Sequence, residues 1–143
     1  MRRIHFGETH PPLLPQAAKA GALYFAVVFA TGFALGVLRV LWLVPRIGER
    51  TAELVEAPLM LLASFLWARW TMRRMSVPPI ALRRLATGLV ALALLLATEL
   101  TVVLQLRGLT FADYIAGRDP IAGSVYMLDL LLFALMPLLV ARR

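Results

Sequence analysis

The chain has no cysteine, which excludes disulfides, thiolate chemistry and cysteine-held zinc or iron–sulfur sites. Its two histidines, His5 and His10, both sit in the polar N-terminal stretch. That leaves no histidine pair within an apolar segment to ligate haem, and no imidazole base beside Ser64 or Ser124. Charge is scarce as well: 16% of the 143 residues are charged, against roughly 25% in a soluble domain. Hydrophobic residues make up 61%, well above the usual 45–50% or so. One soluble core of this size cannot hide so much apolar surface, but lipid accepts it.

What is present divides into four apolar stretches. At roughly 20 residues per spanning helix, they predict an all-α polytopic membrane protein, a four-helix bundle forming a single domain over residues 21–143. Residues 1–20, with Pro11, Pro12 and Pro15, read as a polar cytoplasmic tail. The first span is expected over about residues 21–44, stopped by Pro45. The second covers about 51–70 and contains Pro58, and a basic linker broken by Pro78-Pro79 follows. The third covers about 85–106, and the fourth about 121–141, opened by Pro120. Between the last two, Thr110-Phe-Ala-Asp113 has the spacing of a capping box, opening one interfacial turn that Gly117 closes. The first apolar stretch begins too late and runs too long for a signal peptide.

The formal net charge of +7 would suit nucleic acid, but the arginines cluster at the ends of apolar stretches instead of forming a basic face. Nucleic acid is therefore excluded as a partner, and the bilayer with its anionic headgroups is expected. Arg2, Arg3 and Lys19 of the tail, Arg69, Arg73, Arg74, Arg83 and Arg84 of the linker, and Arg142 and Arg143 outweigh Arg46, Arg50, Arg107 and Arg118 on the other side. The positive-inside rule then puts both termini in the cytoplasm. Trp67 and Trp70 fall at the inner interface and Trp42 near the outer one.

Five ionisable residues lie inside these spans: Arg39, Glu53, Glu56, Glu99 and Asp129. A charge at a helix centre costs on the order of 2.5–3.5 kcal/mol, so each is a candidate functional residue. At 1.5 Å per residue, Arg39, Glu56, Glu99 and Asp129 are each about 9–12 Å from the outer end of their spans, so all four spans bring a charge to one layer. Gly32-x-x-x-Gly36 shares a helical stripe with Arg39 and is a candidate close-packing surface. Two readings of the polar layer stand side by side. One is a structural network in which Arg39 pairs with Glu56 or Glu99. The other is a proton or cation site, since one guanidinium does not balance three carboxylates out of water.

The stretch from Gly32 through Arg39, Pro45, Gly48, Glu53 and Glu56 to Pro58 resembles a group of uncharacterised small proteobacterial inner-membrane proteins, and so does Tyr114 through Arg118-Asp119-Pro120 to Tyr126. The resemblance implies a multi-pass protein of a bacterial inner membrane and implies no activity. A second pattern, Arg50, Glu56 and Pro58, resembles the membrane glutathione-transferase and eicosanoid enzymes, although Glu53 stands where they carry Asn. The expected function is a bundle or accessory subunit without catalytic chemistry or cofactor, self-associating or part of a larger membrane complex. The alternatives are a small proton- or cation-coupled carrier using Arg39, Glu56 and Glu99, and a glutathione-transferase-like enzyme.

Overall fold

The computed structural model describes residues 12–106, 108, 110–116 and 119–140. Among them all regular structure is helical, and four helices are long and apolar enough to cross a membrane. We label the helices α1 (Leu13–Ile47), α2 (Glu49–Arg74), α3 (Ala81–Thr101), α4 (Phe111–Ala116) and α5 (Pro120–Leu139). Most of the polar tail, including His5 and His10, lies outside the described residues, as do Arg107, Gly117, Arg118 and the last three residues.

The helix α1 begins within the stretch expected to be tail. Pro12 is extended and starts it, and Pro15 falls in the first turn, where a missing N–H costs nothing. Gln16, Ala17 and Ala20 are buried there, and Gln16 accepts a hydrogen bond from Arg83 of α3 at 2.7 Å. At its far end α1 does not stop at Pro45. The preceding turn, Arg39–Leu43, is a π-helical one, with the Val44 N–H donating to the Arg39 carbonyl. That wider turn absorbs the break that the proline ring and its missing N–H would force on a regular ladder. The helix ends instead at Gly48, whose φ of 83° and ψ of 164° belong to a region open essentially only to glycine.

The helix α2 starts on Glu49 and ends on Arg73 and Arg74, charges that suit the two ends of the helix dipole. The short α4 opens as its sequence spacing predicts: the Asp113 N–H donates to Thr110 Oγ1 at 3.2 Å, and the Thr110 N–H to Asp113 Oδ2 at 3.5 Å. A side-chain cap also starts α5, where Asp119 Oδ2 accepts from the Ala122 N–H at 2.8 Å and Pro120 takes the first helical position.

The four long helices form a ring in which α1 and α5 each pack on both α2 and α3. Packing is uneven along it. The buried residues, among them Ala20, Tyr24, Val28, Ala68, Met72, Ala91, Phe133 and Met136, gather at the end holding the α2–α3 linker. Past Val28 nothing in α1 is buried; in α2 only Ala52 is buried before Ser64, in α3 nothing after Ala91, and in α5 only Ala122 before Leu130.

Two side chains sew up the packed end. Pro137 has no N–H for the Phe133 carbonyl four residues back, and the Tyr24 hydroxyl donates to that carbonyl at 2.8 Å while its ring stacks on Phe133 at 4.6 Å. Arg84, counted among the basic residues of the linker, is buried. It donates to the Val77 carbonyl at 2.9 Å, to that of Pro78 at 3.1 Å and to that of Pro137 at 3.5 Å. Prolines in the linker leave carbonyls without ladder partners, and a guanidinium has donors enough to serve several.

Candidate functional site

All five ionisable residues of the spans lie in the loosely packed half. The π turn of α1 carries Arg39 toward α2, where its Nη1 is 2.8 Å from Glu56 Oε2. Neither side chain is fully buried, with 29% of Arg39 and 13% of Glu56 exposed. Of the two partners expected for Arg39, the structure selects Glu56. Glu99 is engaged elsewhere: on the α3–α5 seam it accepts a hydrogen bond from the Tyr126 hydroxyl. Nothing in the sequence singled out Tyr126, although it lies three residues, almost one helical turn, before Asp129.

Glu53 lies one turn before Glu56 and adds to the negative field there. Asp129 on α5 is half-buried and feels the Glu56 charge, yet no hydrogen bond or ion pair reaches it among the described residues. The expected common layer is therefore resolved into one ion pair, one carboxylate–phenol bond and one carboxyl with no partner. No group of three or more metal-ligating side chains converges among the described residues.

A further pair closes the rim. Arg50, at the start of α2, reaches Asp119 at the head of α5 through Nε at 3.0 Å and Nη2 at 2.5 Å. Asp119 thus serves a partner 69 residues away in sequence. The Arg50 guanidinium and the Ala122 N–H both favour the ionised carboxylate, which holds Asp119 below the usual carboxylate range. Of the three residues that resemble the glutathione-transferase pattern, Arg50 and Glu56 are thus occupied by Asp119 and Arg39. Pro58 borders a shallow apolar hollow of about 410 Å³ between α2 and α5.

A second cavity, of about 360 Å³, lies between α1 and α2. Leu35, Leu38 and Leu43 of α1 and Leu59 of α2 form most of its wall, with Trp42 beside the α1 end. Arg39 and Glu56 border it too, but their charged ends face each other and the wall is almost wholly apolar. Just past it, the Arg46 guanidinium lies over the Trp42 ring, 4.3 Å from its centroid.

The small residues behave differently from expectation. A methyl group at Gly32 would meet only the end of the Met60 side chain, and one at Gly36 would meet nothing within 4 Å. The tight approaches fall at Gly21, against Val90, and at Gly88, where a Cβ would lie 1.8 Å from the Ala134 carbonyl oxygen. Ser124 bonds back to the Pro120 carbonyl of its own helix at 2.7 Å. Comparison of the chain with protein families, with curated proteins and with solved structures gives no match.

Proposed function

We propose that the protein is a small multi-pass component of a bacterial inner membrane, with both termini in the cytoplasm. It acts without catalytic chemistry of its own, as a self-associating bundle or an accessory subunit of a larger membrane complex. The observation carrying this reading is how the polar side chains of the loose half are used. Arg39–Glu56 joins α1 to α2, Tyr126–Glu99 joins α3 to α5, and Arg50–Asp119 joins α2 to α5. Each bond closes a different seam of the ring, in a solvent where apolar contact alone gives helices little reason to associate. The membrane and its orientation rest on the four apolar helices and the bias of the basic residues; the bacterial source rests on the resemblance over residues 32–58 and 114–126. Extraction in mild detergent should recover the chain with a partner, either copies of itself or other subunits. Recovery as a lone monodisperse monomer overturns the reading.

Asp129 favours a second reading, a proton- or cation-coupled carrier. A half-buried carboxyl with no hydrogen bond or ion pair among the described residues is a place where a proton or cation can reside and leave. Purified protein in liposomes would then dissipate an imposed proton gradient, and Asp129→Asn and Glu99→Gln would each abolish the flux. Absence of flux in the wild type sinks this reading.

A further inference from the structure

The α1–α2 cavity has an apolar wall and a cationic mouth, and we propose that it seats one acyl chain of an anionic phospholipid whose phosphate rests on Arg46. Three observations converge there. Leu35, Leu38, Trp42 and Leu43 fall at i, i+3, i+7 and i+8 and so line one groove-facing stripe of α1, within which lies the π turn Arg39–Leu43. Such turns recur at functional sites.

The size and lining fit a chain. A volume of about 360 Å³ lies at the lower end of the roughly 300–1,000 Å³ typical of small-molecule cavities; it accommodates a length of hydrocarbon, not a whole lipid. A groove that opens to the bilayer and stayed empty would forfeit the dispersion contacts of its lining. The Arg39–Glu56 pair does not compete for the head, since its charges already satisfy each other.

The charge at the mouth selects the head. Arg50 has Asp119 and Arg39 has Glu56, whereas no carboxylate pairs with Arg46 among the described residues. Arg46 is exposed, one residue past Pro45, and lies over the ring of Trp42. A guanidinium held beside the groove can take a phosphodiester whose chain lies along the helix below.

Native mass spectrometry of the full chain tests this, using phosphatidylglycerol and phosphatidylcholine with identical chains. An R73Q/R74Q background keeps the basic far end from adding a second lipid. One phosphatidylglycerol should remain bound under activation that strips phosphatidylcholine. R46Q should lower that retention about fivefold, the change corresponding to roughly 1 kcal/mol per basic residue, and R46K should preserve it. L38W, at an exposed leucine of the groove, should expel the lipid with Arg46 intact. Equal retention of the two lipids, unchanged retention in R46Q or L38W, or a protein dimer carrying no lipid overturns the proposal.

Discussion

The Tyr24 hydroxyl illustrates how one atom repairs what another residue breaks. Pro137 frees the Phe133 carbonyl, and Tyr24 takes it up from across the ring. Tyr24→Phe leaves that buried acceptor unpaired and should cost about 1–3 kcal/mol of stability, measured by unfolding in mixed micelles. Pro137→Ala restores an N–H to the same carbonyl, so Tyr24→Phe should cost much less in that background, which a double-mutant cycle reads directly. Asp119 makes a second prediction, set by pH. Its carboxylate is stabilised in the fold, so the contribution is present above about 3.9, the value of an unperturbed aspartate, and is lost as pH falls through the lowered value. Melting curves of wild type and Asp119→Asn should therefore differ at neutral pH and converge in acid. High salt should narrow the gap as well, because the pair is exposed. Local chemistry of this kind was legible where both partners lie within one turn, as in Thr110 with Asp113. Pro137 announced an orphaned carbonyl four residues back, but its partner on α1 could not be named without the fold. The burial of Arg84 was hidden for the same reason, since only the fold brings Pro137 beside it.

Among the helices, sequence spacing located the four long apolar helices, whose ends differ from the expected stretches where packing overrode a local signal. Gln16 and Ala17 extend α1 because α3 covers them, and Pro45 fails to stop α1 because a wider turn accommodates it. At Gly32 the neighbouring helix reaches in with the end of Met60, whereas Gly36 has nothing within 4 Å. A glycine pair in an apolar helix marks where a close crossing is permitted, and where the helices cross depends on the partner. Substitution separates the two cases. Gly88→Ala would drive a methyl group into the Ala134 backbone, not into a yielding side chain, so α3 and α5 must separate; an overpacking cost of about 1–3 kcal/mol is expected. Gly36→Ala meets nothing and should leave stability unchanged or raise it by up to about 1 kcal/mol through helix propensity. Thermal unfolding of the two variants in one detergent gives the contrast, and equal losses would contradict the crossing described for α3 and α5.

The whole bundle is tight at one end and loose at the other, and Arg39, Glu53, Glu56, Glu99 and Asp129 occupy the loose end. The charged layer was legible from depth alone, because each span carries its ionisable residue at a similar distance from the same side. Its division into separate bonds was not, because which carboxylate meets Arg39 depends on ring order, and Tyr126 enters only through the α3–α5 seam. Charged side chains in a spanning segment face protein or water, so water should reach the loose half. The absence of native cysteine makes this simple to measure. A thiol at Asp129→Cys should react with an impermeant maleimide from one face of a vesicle, and one at Thr87→Cys, fully buried, should not. Reaction at both positions, or at neither, would contradict the gradient of packing.

That gradient also sets how the bundle answers mechanical load. The first turn of α1 and the last turn of α5 both leave from the tight end. Force applied through them meets the Tyr24 and Arg84 fastenings at the outset, before any seam bond of the opposite half is strained. Once those yield, little buried surface is left to resist, and the remaining helices should come out in a single step.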